Sequence, residues 1–419
     1  MRVLHLVKTS EGAFWAVRQV KQLVSQGVDV HVALPEKEGA ALPAWRESGG
    51  SLHFVDCSLP LRNASAFPDR RRAVRNLVNE VRPDLIHSHF VSTTVMLRLA
   101  LGRQHATPRI FQVPGPLHME HWPSRTLETA TAGSNDYWTG SSHYIARLYH
   151  SAGVELKRIF VSYHSTDSTL FSTRRTGFLR ERLDLPKNAI VVGNVNLIYG
   201  PKRFLGQRTG LKCHEDVIEA IRRVQKTRDD VWGVLIGGSF GGAQGYEQKL
   251  RRLAGAKGRG KICMPGRFND QEVALSWPDF DCAVHVPLSE NCGGVVEPLL
   301  CAVPTIAGNV GGLPEVVHPG ITGKLTPIRR PELLADSLLE ILDHYDTHKR
   351  LATEGQRLAA AMFDPRRCAE EILGIYRHIL FLEPRPRSFS PLDFLNSEPP
   401  LGFTKTTFQP APAQSIQIR

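Results

Sequence analysis

Nowhere in the 419 residues do about 18 apolar residues run consecutively, the length a helix needs to cross a bilayer, so no membrane-spanning helix is expected. The opening MRVLHLVKTSEG holds one short apolar run, too brief for the core of a signal peptide, and reads as a first strand. None of the seven cysteines (Cys57, Cys213, Cys263, Cys282, Cys292, Cys301, Cys368) stands in a CxxC pair. That odd, scattered set predicts reduced, packed thiols in a cytoplasmic protein and gives a zinc site no ligand spacing. There is no GxSxG elbow and no HExxH, which leaves serine-hydrolase and zinc-protease chemistry without footing. GQRTGLK has the wrong spacing for a Walker loop, and no Ser or Thr follows Lys212. Aromatic residues make up only 8% of the chain and are not interleaved with the basic ones, which counts against a nucleic-acid-binding protein.

What the chain does hold is a positive excess, 52 Lys and Arg against 41 Asp and Glu, a formal +11. That charge suits an anionic partner: nucleic acid, an acidic membrane surface or a phosphorylated substrate. Hydrophobic content of 42% with 22% charged residues is that of a soluble globular protein, and 419 residues exceed one core of ordinary size. Two domains are expected. Apolar runs at 3–7, 29–34, 52–56, 85–89 and 109–113 alternate with amphipathic stretches, the first of them 14–26 ending at Gly27. Such alternation predicts parallel strands with helical crossovers, whose ligands sit at the carboxyl ends of the strands. Gly12, His87, His89 and His118 are therefore expected near one crevice. A second round of strands is predicted at 189–195, 231–238, 261–266, 281–287 and 304–308. The charged stretch 172–187, with Gly177 and Pro186, reads as the linker between the rounds. A last helix is predicted from Pro365 to about Leu382, and the Pro-rich remainder, 383–419, reads as disordered.

Three groups of residues carry chemistry. In 200–221, GPKRFLGQRTGLKCHEDVIEAI, a glycine-bearing loop places Lys202, Arg203, Arg208 and Lys212 before a helix whose apolar positions are Val217, Ile218, Ile221 and Val224. Backbone N–H groups and the positive end of a helix suit phosphate there, although composition alone reads equally as a solvated basic loop. PLSENCGGVVEPLL combines Glu290 at a strand exit, the pair Gly293–Gly294 and Glu297 early in the next helix, an arrangement suited to sugar hydroxyls. Taken singly, either acid also reads as a helix cap. His118, after PGPL, is a lone histidine at a turn, and His87 and His89 alternate on one strand without a carboxylate nearby, a weak basis for a metal. The helix expected over 68–84, led by Asp69, turns Val74, Leu77, Val78 and Val81 inward and Arg71, Arg75 and Arg82 outward. This face reads as an ordinary solvated one or as a contact with anionic lipid headgroups.

Together these motifs resemble the family 4 retaining glycosyltransferases, which have the GT-B fold and use nucleotide-sugar donors. The resemblance runs in order through residues 1–382. It is sharpest in KCHEDVIEA (212–220), similar to the family's KG-x-x-x-L-I-x-A, and in SENCGGVVEPLLCAVPTIAGNVGGLPEVVHPGITG, similar to its acid-Gly-acid element, A-x-G-x-P-x-V segment, GG-x-x-E turn and G-x-x-G hairpin. TSEGAFWAVRQVKQL looks like the family's first glycine turn and helix, and VSYHSTDSTLF sits where it often has NGVD-x-x-x-F.

The resemblance implies an α/β protein of two Rossmann-like domains, 1–175 on the acceptor side and 176–364 on the nucleotide-sugar side. A cleft lies between them, and a helix, 365–382, crosses back. It implies transfer of a hexose-type sugar, with retention and without a metal, from a UDP- or GDP-linked donor to a glycan or lipid-linked acceptor. The setting would be polysaccharide or glycoconjugate biosynthesis at the inner face of a membrane. Lys212 would hold the donor diphosphate, Glu297 the ribose and Glu290 the transferred sugar. Gly12 would lie near the diphosphate, His118 would face sugar and acceptor, and Gly293 and Gly294 would line the donor loop. The chain departs from the family pattern in several places. The two acids are seven apart rather than eight, so either Glu290 or Ser289 takes the first acid's place. Asn194 stands where an arginine is usual, with Lys202 or Arg203 able to replace its charge, and Ala13, Cys213 and Val303 stand where glycine is usual. A sugar-nucleotide epimerase with the same fold would need the same pocket without an acceptor groove, whereas the lysine loop disfavours a sugar-binding module without catalysis.

Overall fold

A computed structural model describes residues 1–61, 63–203, 206–255 and 260–397. In the first part β1 (Arg2–Leu6), α1 (Phe14–Ser25), β2 (Asp29–Leu34), α2 (Leu42–Glu47), β3 (Ser51–Phe54), α3 (Phe67–Val81), β4 (Leu85–Ser88), α4 (Val91–Leu101), β5 (Arg109–Val113), α5 (Trp122–Ala130), β6 (Asp136–Gly140), α6 (His143–Ser151) and β7 (Ile159–Val161) alternate. The strands form one parallel sheet in the order β3-β2-β1-β4-β5-β6-β7. A parallel sheet is covered on both faces, so its strands read as continuous apolar runs. Val3 and Val7 pack under α1 through Ala16, Val20 and Leu23, while Leu4 and Leu6 pack under α3 and α4 through Val74, Leu77, Val78, Met96 and Leu97.

The second part runs α7 (Phe178–Arg182), β8 (Ile190–Val195), β9 (Ile198–Tyr199), α8 (His214–Val224), β10 (Val231–Ile236), β11 (Ser239–Phe240), α9 (Gln244–Gly255), β12 (Ile262–Gly266), α10 (Asp270–Ser276), β13 (Cys282–His285), α11 (Val296–Leu300), β14 (Thr305–Gly308), β15 (Lys324–Thr326), α12 (Pro331–Asp343) and α13 (Tyr345–Met362). Its main sheet has the order β12-β10-β8-β13-β14-β15, and β9 pairs with β11 beside it. Val192, Val284 and Ile306 meet α8 and α12 on one face, and Val191 and Ala283 meet Leu179, Trp277 and Phe280 on the other. The stretch expected as a linker is therefore partly packed: α7 lies in it, Leu179 is buried, and Asp279 accepts from the backbone N–H groups of Thr176, Gly177 and Leu179.

α14 (Pro365–Phe381) returns to the first sheet, where Ile372, Leu373, Ile375 and Tyr376 share a core with β1 and α1. The expectation of disorder from Glu383 is corrected over 383–397. Arg385 donates to the carbonyls of Leu156 and Lys157, in the turn before the edge strand β7, and of Ile159 at its start, and stacks over Phe160. Phe389 N donates to Glu371, and α15 (Pro391–Ser397) seats a fully buried Leu395 against Ile321 and Leu358. Few but well-placed anchors hold a segment whose composition reads as a tail; residues 398–419 lie outside the described residues. Leu395→Ala is expected to cost about 2–3 kcal/mol, read as a lower urea midpoint at unchanged m; an unchanged midpoint would show that α15 contributes no packing.

All seven cysteines are free and six are buried, Cys263 being half-buried. Among the described residues no helix is long and apolar enough to cross a membrane.

Candidate functional site

In each main sheet the strand order reverses beside the first strand of the round, between β1 and β4 and between β8 and β13. Connections from two such neighbours leave in opposite directions and open a crevice at their carboxyl ends. In the second sheet the connection after β8 carries Lys212 and the loop after β13 carries Glu290. The topology thus brings together two residues 78 positions apart, and Lys212 Nζ donates to Glu290 Oε2.

Several contacts set that geometry. Lys212 directly precedes Cys213, which begins α8 in a left-handed conformation (φ 49). Behind it, Gly210 N donates to Tyr246 Oη (2.7 Å), Tyr246 donates to Glu215, and Leu288 N donates to Leu211 O (2.8 Å), tying the lysine loop to the strand exit. Glu290 Oε1 accepts from Asn291 N (3.0 Å), and Oε2 also accepts from His285 Nε2 (3.0 Å), while Asn196 Nδ2 lies 3.3 Å from His285 Nδ1. Burial alone would raise the Glu290 carboxyl, but Lys212 and then His285 outweigh it and hold the group well below the usual carboxylate range. Burial, helped by the charge of Lys212, lowers His285 against the pull of Glu290.

Two glycines are required here for space. A Cβ on Gly294 would lie 2.0 Å from His285 Nε2, and one on Gly311, whose φ is +62, would lie 1.9 Å from the Glu290 carbonyl oxygen. Gly311→Ala is expected to displace the Glu290 loop, with the left-handed backbone alone costing about 1–2 kcal/mol. Calorimetric titration with UDP and GDP would read the loss, and wild-type affinity for whichever nucleotide binds would count against this role of the turn.

The carboxyl ends of the two sheets face each other across the domain boundary. Asn291 Nδ2 donates to Ser141 Oγ (2.7 Å). Glu315 accepts from His143 N (2.9 Å), Tyr144 N (2.7 Å) and Tyr163 Oη (2.8 Å), so the carboxylate of the second domain caps α6 of the first. Ser289 hydrogen-bonds Glu120, which also accepts from Tyr144 Oη (3.2 Å). Of the two residues considered for the first acid's place, Glu290 meets Lys212 and Ser289 turns to the other domain.

The remaining expected residues are placed separately. Glu297 accepts from Trp277 Nε1 (2.8 Å); burial pushes its carboxyl up, against the indole and the charge of Arg18 from α1. Gly293 is exposed beside Gly294, and Gly12 leads into α1 through Ala13 (φ 65). Asn194 is corrected: it lies within β8, fully buried, donating to Val284 O (2.8 Å), and offers no group to an open face. Among the described residues neither Lys202 nor Arg203 meets Lys212 or Glu290. Arg267, after β12, is the cation that shares a neighbour with Lys212, since both act on the Tyr199 hydroxyl that burial raises. His118 Nε2 lies 2.8 Å from Tyr149 Oη, and burial pushes the imidazole down to about 4. The turn before β14 is left-handed at Ala302 (φ 52), so the glycine-like position is Ala302 and not Val303.

His87 and His89 lie at the carboxyl end of β4, beside β1, and are fully buried with His5. Their candidate donor nitrogens lie within 4.8 Å of one another, yet the rings stack at 4.4–5.0 Å with interplanar angles of 17–29°. Stacked rings hold their lone pairs in near-parallel planes instead of converging on a tetrahedral centre. His5 Nδ1 lies 2.8 Å from His89 Nε2, and Tyr376 Oη lies 2.5 Å from His87 Nδ1, which makes this a polar joint between α14 and the sheet.

Known proteins are similar to this chain in sequence and in fold. Residues 14–170 match the model described as Glycosyltransferase Family 4, and residues 203–358 match Glycosyl transferases group 1. N-acetyl-alpha-D-glucosaminyl L-malate synthase of Bacillus anthracis is 30% identical over 376 residues, 86% of this chain and 91% of that protein. The chain belongs to the group 1, family 4 glycosyltransferases. Alpha-D-kanosaminyltransferase of Streptomyces kanamyceticus is 27% identical over 208 residues, 49% of this chain, and the match spans half (50%) of that protein's length. HepE of Anabaena, solved in complex with UDP and glucose, superposes with a TM-score of 0.74 at 19% identity, over 90% of this chain and 99% of its own. The fold is GT-B. His285, Asn196 and Tyr246 are the residues around the Lys212–Glu290 pair that motif reasoning passes over; the one signal for His285 is a polar residue at the end of an otherwise apolar strand, DCAVHVP.

Proposed function

We propose that the protein is a retaining glycosyltransferase that moves a hexose-type sugar from a UDP- or GDP-linked donor to a hydroxyl of a glycan or lipid-linked acceptor. The observation that carries this reading is the Lys212–Glu290 pair at the β8/β13 crevice, a cation and a hydroxyl acceptor side by side. The donor diphosphate takes Lys212, Glu290 takes sugar hydroxyls and Glu297 the ribose. The bond from the anomeric carbon to the leaving phosphate oxygen breaks, the acceptor oxygen bonds the same face, and its proton passes to the departing phosphate. The protein contributes fixed positive charge and orientation. Lys212 supplies the charge that a metal would otherwise bring. Polysaccharide or glycoconjugate assembly beside an anionic membrane suits the exposed Arg71 and Arg72 of α3, while Arg75 is held by the Ala100 carbonyl (2.6 Å).

The test is incubation with UDP-, GDP- and ADP-sugars, with and without glycan and lipid-linked acceptors, following nucleotide release and the anomeric configuration of the product. Acceptor-dependent release with retained configuration is expected. Inverted product, or an epimerised donor without transfer, would overturn the reading.

A further inference from the structure

We propose that His285 is a positioning residue for Glu290, holding the carboxylate in place when a nucleoside diphosphate draws Lys212 away. This rests on the reading of Lys212 and Glu290 above and extends it to a residue that the reading does not use. In the structure Oε2 of Glu290 is taken by both Lys212 and His285, while Oε1 accepts from Asn291 N alone. A bound diphosphate competes for Lys212, and its departure frees a lone pair on Oε2 for a sugar hydroxyl. It also removes the cation that holds a buried carboxylate in place. What remains is a pair of donors, Asn291 N–H and His285 Nε2–H.

The orientation of His285 is independent of Lys212. The Asn196 amide donates to Nδ1, which puts the ring proton on Nε2 and directs it at Glu290. Gly294 presses on the same nitrogen, leaving room for the ring only because it has no side chain. Asn196 follows β8, His285 ends β13 and Gly294 begins the turn into α11, so three elements fix one imidazole. Among the described residues the charged and titratable groups around the pair include Lys212, Tyr199, Cys292 and, facing His285 from α8, His214, whose imidazole burial pushes down to about 4. Lys212 switches from carboxylate to phosphate while His285 and Asn196 stay in place.

The experiment compares His285→Leu and His285→Gln with wild type; the glutamine amide can still donate near Nε2, and the leucine cannot. Two readouts are taken on the full chain: the 13C titration of the Glu290 carboxyl in free protein, and the pH dependence of nucleotide release from UDP- and GDP-sugars. A hydrogen bond to a charged group corresponds to about 10- to 100-fold in kcat/KM. His285→Leu is expected to show that loss, with UDP or GDP affinity within about threefold of wild type, because Lys212 still reaches the diphosphate. Its acidic limb moves to higher pH, since Glu290 loses a donor to its ionised form, and the glutamine variant recovers most of both changes. A leucine variant with the wild-type Glu290 titration and rate profile would overturn the proposal, as would a loss that glutamine does not restore. If wild type releases no nucleotide from any donor, yet the Glu290 titration moves with leucine and returns with glutamine, the positioning stands and the donor reading falls.

Discussion

Lys212→Ala is expected to lower kcat for sugar transfer about 100-fold, on the order of 3 kcal/mol of transition-state stabilisation, with a smaller change in donor KM. Negative charge builds on the leaving diphosphate as the anomeric bond breaks, so a fixed cation acts more strongly on the transition state than on bound donor. The lysine side chain is only 16% exposed and the acid beside it 15%, so solvent screens the pair weakly. Removal of Lys212 has a second consequence, with a definite sign. The Glu290 carboxyl is depressed in the folded protein, which stabilises the fold above the usual carboxylate range and is lost as pH falls through the folded value. Without Lys212 that contribution shrinks, leaving only His285 to oppose burial. The stability gap between wild type and variant should therefore be widest near neutral pH and narrow in acid. Urea midpoints across pH, beside kcat and KM, test both parts. A variant that turns over near the wild-type rate would remove Lys212 from the leaving-group role.

Much of this site is legible in the sequence because its parts are local. Glu290, Gly294 and Glu297 fall within eight residues, and Lys212 directly precedes a helix with a clear apolar face at Val217, Ile218, Ile221 and Val224, all buried. What is not legible depends on where strands end. Asn194 takes a site role only from its place in the family pattern, yet it lies inside β8, which ends at Val195; Asn196, two residues later, clears the strand and reaches His285. The same holds for the fold. Apolar runs mark β1 to β5, whereas β6 reads DYWTG, and its polar positions pass for loop because their partners are far away in sequence. β7 is three residues long, and Arg385, which anchors the segment after α14 to it, lies 226 positions from Ile159. Ala13, Cys213 and Ala302 show a related limit: all three take a left-handed backbone without being glycine, so the turns persist where the glycine signal is missing.

The polar residue hidden in β6 carries the largest expected stability effect. Asp136 accepts from Arg98 Nε (3.0 Å), Arg109 Nη2 (2.6 Å) and Gly133 N (2.5 Å), and all three charged side chains are almost fully buried. Arg98 also pairs with Glu128 (2.6 Å), which accepts from Trp138 Nε1 (2.9 Å). Asp136→Ala leaves Arg98 with Glu128, but Arg109 keeps only the Gly102 carbonyl (2.9 Å), an uncompensated guanidinium in the core. Breaking a buried pair by removing one partner costs about 3–5 kcal/mol, chiefly the desolvation of the charge left behind. The double variant Asp136→Ala/Arg109→Leu removes that stranded charge and should recover part of the loss, a non-additivity that a double-mutant cycle measures directly. The network also reaches His118, since Tyr149, whose hydroxyl burial raises, with Glu128 next in effect, lies 2.8 Å from His118 Nε2. Denaturant midpoints of the two single variants and the double, at constant m, decide the point. If the losses simply add, the buried charge left on Arg109 is not their cause.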